Sequence, residues 1–377
     1  MIPRLSKPFI KRILLWINLF SIISLICAYL APYISPVVFW PIAFFGLAFP
    51  VIVLINAVIS LIWLFISPRF ALLSLILILA GIRPIKNEYQ WKSNKTDNIK
   101  TGISIVSYNV HDFSGINDGV RHHSVQQEIF TFIRSHKPQI ICLQDLPVYW
   151  KERCTTLDGF ARELNMKSIY INSFAGDTVR SFNSTALLTS YTKIGFGELS
   201  DPNNLSFAVY NDLQIGTDTL RVYSVHLSSI MLFGEKSMLT ASGLVTGDKS
   251  GMPRQMFRII RKLRAAFIRR ATQADILKAN ILRSPFPVIV CGDFNDTPLS
   301  YAIHTIRKGL KDSFIEKGYG FGRTYIGSNV PLRIDNVFAD PSFYVSKHEV
   351  VNIRLSDHLP VLTHLWLEKK PVSLNGK

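Results

Sequence analysis

The N-terminal part of the chain is apolar to a degree that restricts where it can fold. From Ile13 to Ile82 the sequence contains a single charged residue, Arg69. A transmembrane helix needs about 20 mostly apolar residues, and this stretch is long enough for more than one. We therefore expect residues 13–82 to be embedded in a membrane.

Prolines and polar residues divide this stretch into candidate spans. Ile13–Leu30 predicts one helix, Ala31–Pro36 with its two prolines predicts a turn, and Val37–Ile66 predicts a second helix. Phe70–Ile82 is a third span if it extends through Ile85, and otherwise an interfacial helix. A cleaved signal peptide is disfavoured because the first run is too long and more membrane sequence follows it.

The sequence does not decide on which side of the membrane the rest of the chain lies. Basic residues flank both ends of the apolar stretch: Arg4, Lys7, Lys11 and Arg12 before it, and Arg83, Lys86, Lys92, Lys95 and Lys100 after it. Counting positive charges favours an even number of spans, whereas hydropathy favours three. We expect an integral protein of the cell (inner) membrane, with the side of the remaining domain left open.

The positive charge of the chain points to a phosphate-rich partner. The formal net charge is +16; residues 1–100 have ten Lys or Arg and two Asp or Glu, which leaves +8 for residues 101–377. Such a surface attracts nucleic acid, anionic lipid or phosphorylated small molecules. The four cysteines have no paired spacing, which argues against a disulfide framework.

The chain is predicted to contain four parts. These are a membrane anchor of two to three helices (1–86), a polar linker (87–100), a soluble domain (101–370) and a tail (371–377). In the soluble domain, apolar strand-like segments alternate with helical stretches predicted at 123–136, 258–282 and 301–308. This alternation indicates an α/β domain.

Six of the strand-like segments run into polar residues: Ile103–Asp112, Ile140–Asp145, Arg221–Leu227, Val288–Asn295, Arg333–Phe338 and Ser356–Val361. Any one of them could be a strand that simply opens into a loop. Six together are better explained by convergence on one cleft, because buried polar groups cost several kcal/mol unless paired.

The residue types in this cleft suit phosphoester chemistry. Oxygen ligands from Asp and Asn, without cysteine, favour a hard cation such as Mg²⁺ or Mn²⁺ over a thiolate zinc site. Histidines beside carboxylates can act as acid or base, or donate to a phosphoryl oxygen. Metal-assisted hydrolysis of a phosphoester needs both sets of groups.

Short motifs in a fixed order carry a resemblance to a known family. They are Ser107-Tyr108-Asn109, Leu143-Gln144-Asp145, His226-Leu227, Gly292-Asp293-Phe294-Asn295, Arg333-Ile334-Asp335 and Ser356-Asp357-His358. This series resembles the endonuclease/exonuclease/phosphatase superfamily of metal-dependent phosphoesterases, in a membrane-anchored bacterial form. The resemblance covers nearly all of residues 101–367 and implies a four-layer sandwich of two facing mixed β-sheets flanked by helices.

The resemblance also implies roles for individual residues. Asn109 and Asp145 would lie at a Mg²⁺ or Mn²⁺ ion, with Asp357 nearby. The remaining positions would be catalytic: Asp293 and Asn295 at the attacking water and the phosphate, His226 at the scissile phosphate, and His358, oriented by Asp335, as an acid or base. The family usually has glutamate where this chain has Asp145, which puts metal affinity and preference in question.

Several neighbouring features have weaker interpretations. His111 and Asp112 could extend the metal edge, but a solvated loop pair is favoured. Asn183 resembles a substrate-side asparagine or belongs to an ordinary turn, and His122 and His123 are expected at the surface. Residues 234–253 could form a mobile loop near the site.

The predicted helix at 258–282 has a charged flank. Its basic residues and those just before it are Arg254, Arg258, Arg261, Lys262, Arg264, Arg269 and Arg270. An apolar stripe packed on a sheet with a solvated outer face is favoured, and a helix that binds substrate or the bilayer is the alternative.

The substrate stays open at this level. A membrane-tethered nuclease fits the basic surface, whereas the membrane anchor favours a sphingomyelinase-like phospholipid phosphodiesterase. An inositol-phosphate-type phosphatase belongs to the same superfamily. A non-catalytic membrane-binding module is disfavoured, because every expected catalytic position is occupied apart from the conservative change at Asp145.

Overall fold

The computed structural model describes residues 7–91, 102–116, 123–146, 150–172, 184–230, 252–328 and 330–368. Asn183, His122 and the loop predicted at 234–253, apart from its last two residues, lie outside the described residues. The described chain consists of an N-terminal helical bundle and a two-sheet α/β domain.

The bundle contains six helices: α1 (Lys7–Leu30), α2 (Pro36–Phe39), α3 (Ile42–Leu47), α4 (Phe49–Ile66), α5 (Pro68–Ala80) and α6 (Ile82–Glu88). Lys11–Leu30 and Phe49–Ile66 are long and apolar enough to cross a membrane. α5 and α6 qualify as a third span only if counted as one, and they are bent by 59° relative to each other.

The predicted second span, Val37–Ile66, is wrong in its first part. Residues 36–47 form the two short helices α2 and α3, and the long helix begins only at Phe49. Pro41 and Pro50 explain the breaks, because proline has no N–H and is tolerated only in the first turn of a helix. Hydropathy cannot detect these breaks, since every fragment is apolar.

Polar contacts join the three long helices of the bundle, α1, α4 and α5. Asn18 of α1 accepts a hydrogen bond from Ser74 of α5 at 2.9 Å, and Ser21 of α1 donates to Asn56 of α4 at 2.8 Å. Interhelical hydrogen bonds of this kind hold helices together where no hydrophobic driving force acts between them.

The α/β domain has two sheets of six strands. The first, in the order β11-β12-β1-β2-β4-β3, comprises Phe343–Val350, Val361–Leu367, Ile103–Asn109, Ile140–Gln144, Thr185–Thr189 and Ser168–Ile171. The second, in the order β5-β6-β7-β8-β10-β9, comprises Thr192–Ser200, Ser206–Ile215, Asp218–His226, Val288–Asp293, Asp335–Ala339 and Lys311–Asp312. Both sheets are mixed: β1 and β2 are parallel, as are β7 and β8.

Helices cover the outer faces of the two sheets. α7 (His123–His136) and α8 (Trp150–Glu163) lie on the first sheet, where Phe130 stacks on Phe160. α9 (Met252–Arg283) and α10 (Tyr301–Arg307) lie on the second; α11 (Ser313–Lys317) is a short helix at its edge. Ile105, Val222 and Ile289 pack in the core between the sheets. The predicted four-layer sandwich is confirmed.

The domain packs directly against the bundle. Leu299 lies in one apolar cluster with Leu25 and Ala28 of α1 and with Phe49 and Ile52 of α4. The predicted linker also begins with contacts to the domain, since the carbonyl of Asn87 accepts from Arg333 and Gln90 pairs with Gly320. The bundle and the domain therefore share an interface.

Candidate active site

Strand pairing brings most of the predicted site residues to one edge of the sandwich. Asn109 ends β1, and His226 and Asp293 end the parallel pair β7 and β8. The sequence pattern predicted that Asp335 ends a strand, but this is wrong. Asp335 begins β10, directly opposite Asp293. Because β10 is antiparallel to β8, its start lies at the same edge as the end of β8.

Gly292 allows β8 to approach β7 closely just before this edge. Its φ is +144°, and a Cβ at this position would lie 1.9 Å from the carbonyl oxygen of Val225. Only glycine tolerates both the backbone angle and the close approach. The glycine of the Gly292-Asp293-Phe294-Asn295 motif therefore sets the position of Asp293.

His358 lies between two buried aspartates. Its Nδ1 is 2.8 Å from Asp335 Oδ2, and its Nε2 is 3.7 Å from Asp293 Oδ2. The Ser356 hydroxyl fixes the backbone of this segment, because it accepts from His358 N–H and donates to the carbonyl of Asn109. The imidazole is thus held with one nitrogen on Asp335 and the other toward Asp293.

The pKa values of both His358 and Asp293 are raised above their ordinary values. Burial lowers the pKa of His358, but the charges of Asp335 and Asp293 and the hydrogen bond to Asp335 outweigh it and raise the pKa to about 10. Burial, together with the charge of Asp335, raises the pKa of Asp293 to about 7. At neutral pH, His358 is therefore cationic and Asp293 is near its midpoint.

Three further predicted residues surround Asp293. Asn109 and Asn295 donate through Nδ2 to Asp293 Oδ2 at 2.8 Å and 3.3 Å, so that Asn109 bridges the two sheets. His226 Nε2 lies 3.7 Å from the same oxygen, and burial lowers the pKa of His226 to about 3. His226 is therefore neutral, and its Nδ1 has no hydrogen-bond partner among the described residues.

A second group of carboxylates adjoins this centre. Loss of water around Asp145 and the charge of Asp357 raise the pKa of Asp145 to about 7. His111 and Asp112 also lie here and not in a solvated loop: His111 Nδ1 is 3.5 Å from Asp357 Oδ1, and the Asp112 charge raises the pKa of Asp145. Asp145 itself has a left-handed backbone with φ of +55°.

This acidic group fits a hard divalent cation. Asp357, Asp293 and Asp112 all raise the pKa of Asp145, and only His358 is identified as lowering it. Carboxylate and amide oxygens without thiolates are the ligands that Mg²⁺ and Mn²⁺ prefer. The buried trio of Asp293, Asp335 and His358 also has ligand atoms within 4.8 Å of one another. Two of its atoms, however, are already used in the bond between His358 and Asp335.

One organising residue was not predicted. Arg270 was counted among the basic residues on the flank of its helix, but it is buried. Its Nε donates to Asp296 at 2.9 Å and its Nη1 donates to the carbonyl of Ser228 at 3.1 Å. Arg270 thereby joins the loop that follows Asn295 to the loop that follows His226. The ring of Tyr325, 5.0 Å from that of His358, had no sequence signal.

Comparisons with known proteins agree with this fold. The model of the Endonuclease/Exonuclease/phosphatase family matches residues 106–358. A second family model, described as a domain of unknown function, matches residues 11–88. The search of curated proteins gave no match.

Two solved structures share the fold at low sequence identity. An endonuclease/exonuclease/phosphatase from Beutenbergia cavernae aligns with a TM-score of 0.50 and 17% identity, over 73% of this chain and 74% of that one. The human Nocturnin catalytic domain aligns with a TM-score of 0.50 and 14% identity, over 72% of this chain and 96% of that one. The family match extends from Val106 in β1 to His358, and the chain therefore belongs to the endonuclease/exonuclease/phosphatase family of divalent-metal-dependent phosphoric ester hydrolases.

Proposed function

We propose that this protein hydrolyses phosphodiester bonds with a catalytic domain tethered to the membrane by its N-terminal helices. The observation that carries the proposal is the placement of His358 between Asp335 and Asp293 at the edge where Asn109 and His226 also lie. This arrangement supplies a proton donor, a proton acceptor and uncharged hydrogen-bond donors within one small buried volume.

The roles of the residues follow from their protonation states. His358, with a raised pKa, donates a proton or a hydrogen bond to a phosphoryl oxygen. Asp293, with a pKa near neutrality, accepts the proton of the attacking water, and Asn109 and Asn295 orient its carboxylate. Neutral His226 contacts the scissile phosphate through Nε2.

We assign the metal ligands to Asn109, Asp145 and Asp357. A bound Mg²⁺ or Mn²⁺ ion would supply positive charge to the phosphoryl oxygens. The positive charge would also offset the repulsion between the carboxylates of Asp145 and Asp357, which raises the pKa of Asp145.

Nucleic acid is the first candidate substrate. The formal net charge of +16 favours a polyanion, and binding that depends on this charge falls with added salt. In this reading the protein is a nuclease held at the membrane surface.

A lipid headgroup is the second candidate, and one contact favours it. Leu299 lies three residues after Asp296, in the loop that follows Asn295, and it packs against α1 and α4 of the bundle. The site loop therefore lies close to the helices that we place in the bilayer, where phosphodiester headgroups are concentrated.

A substrate panel tests the proposal with the full chain in lipid nanodiscs. Plasmid DNA, RNA, sphingomyelin vesicles and a generic phosphodiester are offered with Mg²⁺ or Mn²⁺. His358→Ala serves as the blank. His364→Ala, which alters a histidine on β12 whose Nε2 lies 3.4 Å from the Ser104 hydroxyl, serves as the matched control. Hydrolysis of one substrate by wild type and His364→Ala but not by His358→Ala supports the proposal. Equal turnover by both variants refutes it.

A further inference from the structure

The first half of α9 carries an exposed stripe that packing on the sheet does not explain. Phe257, Arg261 and Arg264 are four and three residues apart and lie on one side of the helix. All three are exposed, and Phe257 is 74% exposed. The opposite side already supplies packing residues, because Ile259 and Ala266 are buried there.

This part of α9 contacts the N-terminal bundle. The guanidinium of Arg264 is 5.6 Å from the ring of Trp40, and the ring of Phe267 meets that of Phe44 edge-on at 5.2 Å. Trp40 and Phe44 belong to the connection between α1 and α4, the two helices long enough to span a membrane. The part of α9 at Arg264 and Phe267 therefore lies beside one end of the candidate spans.

The bundle also exposes apolar side chains at this same end. Val38 is 83% exposed and Phe39 is 52% exposed, next to Trp40. Two segments more than two hundred residues apart thus present exposed apolar groups near one another. An exposed Phe with arginines on the same helix face, beside the ends of spans, is typical of a helix that lies in the headgroup layer.

We propose that the first half of α9, centred on Phe257, Arg261 and Arg264, binds the anionic phospholipid headgroups of the membrane that holds α1 and α4. This inference rests on the proposed membrane tethering. The binding region ends by Asp275, an exposed acid that accepts a hydrogen bond from Tyr301. Nucleic acid would gain from the arginines too, but it would leave the exposed Val38 and Phe39 unexplained.

Site-directed spin labels on the full chain test the inference. Each label is attached at one introduced cysteine after Cys27, Cys142, Cys154 and Cys291 are replaced, and the protein is placed in nanodiscs with or without anionic lipid. Phe257→Cys is the test position, Val58→Cys in α4 reports insertion, and Phe196→Cys is the matched control, an exposed Phe on β5. Relaxation by oxygen reports lipid, and relaxation by a water-soluble nickel complex reports solvent.

The expected result is that oxygen relaxes the label at Phe257 more strongly in anionic nanodiscs, while the label at Phe196 remains aqueous. Replacing Arg261 and Arg264 with glutamine should reduce this preference by about fivefold per residue, since each arginine near an anionic surface contributes about 1 kcal/mol.

Four outcomes would overturn the inference. The label at Phe257 could remain aqueous while that at Val58 is in lipid, or it could show the same environment in zwitterionic and anionic discs. A single-stranded oligonucleotide could instead protect the label where lipid does not, which would assign the surface to nucleic acid. An aqueous label at Val58 would refute membrane insertion itself, and with it the premise of the inference.

Discussion

Replacing Arg270 with methionine tests whether one buried ion pair holds two site loops together. The guanidinium is 1% exposed, and it donates to Asp296 and to the carbonyl of Ser228. Methionine fills similar space but leaves the buried Asp296 carboxylate with the N–H of Thr297 as its remaining identified partner. Loss of one partner of a buried pair costs about 3–5 kcal/mol. We expect the decrease in the free energy of unfolding to lie near the upper end of this range, because the carbonyl of Ser228 also loses its hydrogen-bond donor.

A compensating second substitution separates the ion pair from a general packing defect. Arg270→Met combined with Asp296→Leu should be more stable than Arg270→Met alone, because no uncompensated buried charge is left. Arg270→Lys keeps the charge but not the forked geometry, and it should fall between wild type and Arg270→Met. Urea unfolding of the full chain in detergent, followed by circular dichroism, measures all four proteins. Stability of Arg270→Met within about 1 kcal/mol of wild type, or a double variant less stable than the single one, would refute the reasoning.

Three other predictions concern protonation. Asp335→Asn keeps the shape of the side chain but removes the negative charge that orients His358 and raises its pKa. The steady-state rate of phosphodiester hydrolysis should therefore fall on the order of 10³-fold. An unchanged dependence of this rate on pH would contradict the prediction. The raised pKa of Asp145, one of the assigned ligands, means that protons compete with the metal below about pH 7. The affinity for Mn²⁺ should therefore rise from pH 6 to pH 8, with proton release detected by calorimetry in two buffers. Burial lowers the pKa of His348 to about 3, so the unfolded chain gains a proton below pH 6.5 that the folded chain does not. Wild type should consequently lose about 2 kcal/mol of stability between pH 7 and pH 5 through this group, and His348→Gln should remove that loss in urea titrations; equal pH dependence of the two proteins would exclude it.

The sequence was sufficient to predict that several polar residues meet at one edge of the sandwich. Apolar runs that end in Asn109, His226 and Asp293 could be recognised because a strand cannot bury such groups without partners. The family motifs added Asp335 and His358. The structure brings these five residues into direct or near contact.

What the sequence could not supply depends on contacts between distant segments. Periodicity predicts that α9 is amphipathic, but it does not tell which arginine points inward, and Arg270 does so because Asp296 and Ser228 lie beneath it. The start of β10 at Asp335 follows from antiparallel pairing with β8, which no local pattern encodes. The packing of Leu299 on α1 and α4 joins residues more than two hundred positions apart.

The contact of Leu299 with the bundle has a kinetic consequence. A catalytic domain on a flexible linker sweeps a broad volume, and its effective concentration at any one target falls as the linker lengthens. A domain docked through Leu299, and through the bond between Arg333 and Asn87, has no such freedom. The contact holds His358 at a fixed distance from the helices. Under the proposed tethering, a phosphoester would have to reach that distance from the membrane to react.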